Sequence, residues 1–181
     1  MNKPKLPIEF IGEDNWINKL VKFLEQYDVE VEGLKSIDCM FKIPEQMEKY
    51  FKYFGGISSS DFMYNLYSPK DFIKLSVSDW SFINENFSLE ETEKYIVFSE
   101  SPGNDPVCLN MENDTIHIFS HDPLKKAKIF EDFNQYLQYE VIEIQKLMGD
   151  IEWNKDDEIE YHKEKLAGKD IDYTFRYMKF C

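Results

Sequence analysis

The side chains with the most chemical potential cluster in the middle of the chain. His117 and His121, with Phe119 between them, would share one face of a strand, and Asp122 follows directly. A general base or a metal site built on them needs more than this. Structural zinc takes four ligands, and the chain offers neither a CxxC pair nor an HExxH motif. The expectation is a half-buried His117 and a turn through His121-Asp122-Pro123. Cys108, inside Val107-Cys108-Leu109, has the surroundings of a small buried hydrophobe, because a thiolate nucleophile needs a base and an electropositive setting. Glu90, Glu91 and Glu93 could pair as in a glycosidase, but their pattern is that of a solvated helix surface. No P-loop or GxGxxG is present, and Gly55-Gly56 reads as a helix stop. The chain is therefore expected to be no enzyme and to carry no metal or cofactor. A small hydrolase using His117 or Cys108 is the enzymatic alternative, and it would need a deep pocket joining His117 to carboxylates.

Charge says more. The 181 residues hold 35 acidic against 21 basic side chains, a net charge of −14, with a sequence pI near 4.6. Phosphate backbones would be repelled, so nucleic acid is excluded as a partner and a charged partner should be basic. The acid is concentrated: from Asp61 to Ser120 there are 11 acidic and 3 basic residues, a local charge of −8. Asp61, Asp79, Glu85, Glu100, Asp105 and Asp114 are the candidates for an acidic binding surface. Trp80, Tyr64 and Tyr67 lie near it as possible aromatic anchors. Trp80, set among Ser78, Asp79 and Ser81, is the one expected to be exposed.

Aromatic residues at 16% of the chain, 15 of them Phe, provide ample core, and the length suits one domain over 1–181. Trp16, Ile17, Leu20, Val21, Leu24 and Tyr27 form a helical stripe that Asp14 could cap, and Val29 and Val31 suggest a short strand. Pro44 to Phe54 reads as a helix, Phe62 to Tyr67 as a strand, and Lys70 to Leu75 and Asp79 to Asn86 as short helical pieces. Tyr95 to Ser99, Val107 to Met111 and Thr115 to Ser120 read as an antiparallel meander. Its turns are Ser101-Pro102-Gly103-Asn104-Asp105-Pro106 and Glu112-Asn113-Asp114. Ile129 to Leu147 keeps helical spacing up to Gly149, Asp156 to Lys165 reads as a helix, and Ile171, Tyr173, Phe175 and Tyr177 alternate as a strand would.

Three pieces, in this order, resemble the SUKH superfamily of Smi/Knr-like proteins. Ile43-Pro44-Glu45-Gln46-Met47-Glu48-Lys49-Tyr50-Phe51-Lys52-Tyr53-Phe54-Gly55-Gly56 looks like that family's helix between a proline and a glycine pair. Ile96 to Asn110 is similar to its central strand, Gly/Asp turn and following strand. Thr115 to Asp122, followed by the helix with Phe130, Phe133, Tyr136 and Leu137, resembles its last core strand and closing helix. The likeness covers about 13–148, and the chain departs from it in a polar insertion around Asp79 to Glu93 and in a C-terminal extension, 149–181.

What the resemblance implies is an α+β domain, an antiparallel sheet packed against helices, with an extra C-terminal helix and strand. It also implies a binding platform instead of a catalyst. Bacterial members typically neutralise a cognate polymorphic toxin, often a nuclease, by direct binding, whereas fungal relatives are regulatory scaffolds. A basic toxin domain is thus the expected partner, and a regulatory interaction module the alternative. The start of the chain lacks the apolar stretch of a signal peptide, no run is long and apolar enough to span a bilayer, and Cys39, Cys108 and Cys181 form no CxxC pair. These features suggest a cytoplasmic protein with reduced thiols and no membrane contact.

Overall fold

The computed structural model describes residues 1–57, 61–63 and 65–180. It is α+β, with a five-stranded antiparallel sheet and seven α-helices among the described residues. The chain divides into two compact units, one formed by Met1–Ile37, Glu45–Tyr64 and Asn134–Ala167, the other by Asp38–Pro44, Asn65–Phe133 and Gly168–Cys181.

The first unit is helical. Its helices are α1 (Trp16–Glu25), α2 (Glu45–Phe54), α5 (Phe133–Leu147, from its second residue on) and α6 (Lys155–Lys165). The stripe on α1 buries Trp16, Leu20, Phe23 and Leu24, and α2 buries Met47, Tyr50, Phe51 and Phe54, with Trp16 and Phe54 ring centroids 6.0 Å apart. Each such apolar side chain, moved wholly out of water, contributes about 1.5–3 kcal/mol. Asn15 precedes α1 without a side-chain cap, so Asp14 does not start it, whereas Asn154 caps α6 by accepting from the N–H groups of Asp156 and Asp157. Val29 and Val31 form no strand. The segment after them runs beside the end of α2 through Leu34 N–H to Phe51 O (3.1 Å) and Gly56 N–H to Glu32 O (2.9 Å). A side chain at Gly33 would strike the Lys52 carbonyl, which explains the glycine there.

The second unit holds the sheet, in the order β1 (Ile73–Lys74), β2 (Tyr95–Glu100), β3 (Pro106–Asn110), β4 (Ile116–His121), β5 (Leu124–Phe130), every neighbouring pair antiparallel. The meander therefore stands within a residue of its expected limits. Two short helices, α3 (Ser81–Asn86) and α4 (Leu89–Thr92), follow β1, and Leu75 and Ile83 pack with Tyr95, Val97, Cys108 and Phe119 of the sheet in one buried cluster. Ser88 starts α4 by accepting from Glu91 N–H at 3.2 Å. Lys70 to Leu75 is not helical throughout, but a 3₁₀ turn, strand β1 and the start of a second 3₁₀ turn. Within Phe62 to Tyr67 the described residues make only a single bridge, Leu66 to Ser99, and Tyr64 lies outside them.

Two corrections concern the end of this unit. Ile129 and Phe130 belong to β5, an edge strand whose lysines hide its period. The expected strand at 171–177 is helix α7 (Tyr173–Phe180), because Asp172 Oδ1 accepts from Phe175 N–H (2.9 Å) and Arg176 N–H bonds back to Asp172 O (2.9 Å). The tail then covers the β5 edge: Asp172 N–H reaches Lys128 O (3.2 Å), and fully buried Arg176 donates to Ile129 O (2.8 Å).

Candidate partner-binding site

In the sheet unit, three of the expected binding residues meet. Asp79, Trp80 and Glu100, with Ile73 and Asn104, line an open concavity of about 390 Å³. Each is placed by a neighbouring element. Ile73 stands on β1 opposite Val97 and is 37% exposed. After it, Leu75 is buried and Ser78 Oγ closes a turn by donating to Leu75 O (2.7 Å), so the chain enters α3 at Trp80. Trp80 is half-buried, not freely exposed, and packs against the Leu75–Phe119 cluster. Its indole Nε1–H donates to Asn104 O (3.0 Å), which fixes the ring where it lines the concavity. Glu100 ends β2 and accepts from the Tyr67 hydroxyl. Burial, and then this carboxylate, push the Tyr67 pKa up, so the phenol stays protonated and keeps donating.

Asn104 is held by the turn that carries it. It adopts a left-handed φ of 61°, which asparagine tolerates, and its N–H bonds Ser101 O at 2.9 Å. Asp105 follows, and here the expectation of a surface acid is corrected: Asp105 is 0% exposed. One oxygen accepts from His121 N–H (3.0 Å) and lies 2.5 Å from His121 Nδ1, and the other is 2.8 Å from Lys179 Nζ of α7. Burial pushes Asp105 up, but these partners outweigh it and hold the carboxyl below its usual range. A carboxylate so enclosed anchors the turn; it has no oxygen to present to a partner.

The other acids are dispersed. Glu85 is exposed on α3, and Asp114 is exposed in the β3–β4 turn with a φ of 62°. Asp61 is exposed and belongs to the helical unit. Ile73 and Asn104 escaped sequence reading because nothing local marks a two-residue strand or a turn carbonyl as a wall. The turn residues from Ser101 to Pro106 were a signal for position, not for role.

A second concavity in the sheet unit, about 440 Å³, is lined by Ser88, Glu90, Glu91, Lys94, Tyr95, Asn110, Glu112 and Lys126. It differs in charge. Glu91 is paired with Lys126, and Glu112 with Lys94 at 3.4 Å. By contrast, Asp79 and Glu100 carry no ion pair among the described residues, and no lysine or arginine lines their concavity.

The residues weighed for catalysis have a different arrangement. Cys108 and His117 face each other across the β3–β4 ladder, yet no hydrogen bond joins them among the described residues. Cys108 is fully buried, and burial pushes its thiol well up, away from nucleophilic form. Burial first, and then Lys126 and Lys128, lower His117 to about 4, so its imidazole is neutral at pH 7. Its Nε2 lies 2.9 Å from Thr115 Oγ1, and its ring packs edge-on to Tyr95. His117 does not line the neighbouring concavity. Among the described residues no group of three His, Cys, Asp or Glu is placed to hold a metal ion. Cys39 and Cys108 are free thiols, and Cys181 lies outside the described residues. No described helix is long and apolar enough to cross a membrane.

Comparison with known proteins returns no family model, no curated protein and no solved structure that matches this chain.

Proposed function

We propose that this chain is a non-catalytic immunity protein of the SUKH type, which binds a cognate toxin through its sheet unit and blocks the toxin's active site. The observation that carries the reading is the concavity at Trp80, where a fixed indole stands beside two carboxylates that no cation of the described chain neutralises. Such a surface speeds encounter with a basic partner and gives it an aromatic anchor. A toxin that cleaves nucleic acid needs a basic groove for phosphates, so an acidic protein seated there competes with the substrate's backbone. The glycine-stopped helix α2, the β2–β4 meander and helix α5, in that order, support the family side of the reading.

The test is co-expression with the product of the adjacent upstream gene, scoring growth rescue and co-purification together. Rescue with a stable complex is the expected result. A gene product that is neither toxic nor bound would overturn the immunity reading and favour a regulatory scaffold.

A further inference from the structure

We infer that the Trp80 concavity is a receptor for one arginine side chain of the partner. The inference rests on the proposed function for its biological setting, but its chemistry stands on the site. The two concavities of the sheet unit are of similar size, and only one contains its own cations. Around Tyr95, Lys94 and Lys126 already neutralise Glu112 and Glu91. Around Trp80 the carboxylates of Asp79 and Glu100 have no cation, and Ile73 supplies an apolar wall. That combination asks for a group that is cationic at its head and apolar along its stem. Lysine and arginine both qualify, and the indole selects between them. A guanidinium is planar, weakly hydrated and able to stack on an aromatic face while its fork donates to carboxylates, whereas an ammonium is a strongly hydrated point charge. The N–H edge of Trp80 is already committed to Asn104 O, so stacking on the ring is the interaction left to it. Glu100 is likewise oriented before any ligand arrives, by the Tyr67 hydroxyl. On the receptor side, only Asp79 then remains to be ordered on binding.

The probe is N-acetyl-arginine amide, with the uncharged N-acetyl-citrulline amide as its isostere. The readout is the indole N–H resonance of Trp80, assigned by its loss in Trp80→Phe. A saturable shift with the arginine compound, no shift with citrulline, and at least about threefold weaker binding in Asp79→Asn and Glu100→Gln are expected. An indole signal that stays in place, or that moves equally with both compounds, would overturn the receptor. Both carboxamide variants keep side-chain size, and Asp79 is exposed, so folding does not confound them. With the toxin, growth rescue by the wild type together with undiminished affinity of Glu100→Gln and Trp80→Ala would sink the arginine receptor and leave immunity standing. Absence of rescue by the wild type would sink immunity, and the arginine titration alone would then decide the receptor.

Discussion

In the sheet unit the enclosed carboxylate of Asp105 lies between an ammonium and a backbone N–H, whereas in the helical unit Glu140 and Glu143 stand one turn apart on α5 with too few cations. Lys146 is shared there between Glu143 (3.0 Å) and the buried Glu158 (2.7 Å). Burial, and then Glu143, raise Glu140 to about 8 although the Tyr136 hydroxyl and Met63 N–H bond to it; burial, and then Glu158, contribute to raising Glu143 to about 7 against the pull of Lys146. The lesson is that an acidic chain handles surplus charge in three ways. It pairs a carboxylate where a turn must be fixed, raises the pKa of those that share too few cations, and leaves Asp79 and Glu100 without a cation of their own among the described residues.

The largest effect should come from breaking the pair. Asp105→Ala leaves Lys179 without its buried counter-ion and frees the turn that holds Asn104, and about 3 kcal/mol of stability should be lost in urea unfolding. If the proposed toxin is the partner, Trp80→Ala should weaken the complex by about 2 kcal/mol, roughly thirtyfold in Kd by calorimetry.

The enclosed Asp105 and the half-buried Glu140 and Glu143 should also respond oppositely to pH. Asp105 has a lowered pKa, so its contribution is present above the unfolded aspartate value of about 3.9 and is lost as the pH falls through its folded value. Glu140 and Glu143 have raised values, so theirs is present below about pH 4.3 and is lost as the pH rises through 7 to 8. Unfolding free energy should therefore fall between pH 6 and 8.5, by on the order of 1 kcal/mol, and Glu140→Gln should flatten that slope. Equal slopes in the two proteins would remove the contrast between the units. The smallest effect belongs to Glu85→Lys, which should slow association by about threefold at low salt, measured by stopped flow, and leave dissociation unchanged.

What could be read from the residues alone depended on how local the cause was. Strands β2 to β4 were legible because Ser101 to Pro106 and Glu112 to Asp114 mark their turns chemically. Strand β5 was hidden because Lys125, Lys126 and Lys128 make an edge strand look like a polar connection, and α7 because Ile171, Tyr173, Phe175 and Tyr177 alternate by coincidence. Asp172 as a helix cap was the signal that would have separated the two. At the candidate site, Asp79, Trp80 and Glu100 stood out as two acids and an aromatic of the acidic middle segment, but their meeting in one concavity did not show in the sequence. The burial of Asp105 was not, since it depends on Lys179 from the far end of the chain. The carbonyl of Asn104 was invisible for a simpler reason: a backbone acceptor has no residue type.

The central claim, that the cation-free carboxylates beside Trp80 are the partner's landing point, is tested most directly by comparing affinity for the proposed toxin partner of the wild type and of the double variant Asp79→Asn/Glu100→Gln at two salt concentrations. At least about tenfold weaker binding at low salt, a reduced salt dependence and an unchanged melting temperature are the predicted result. Equal affinity and equal salt dependence in the two proteins would contradict it.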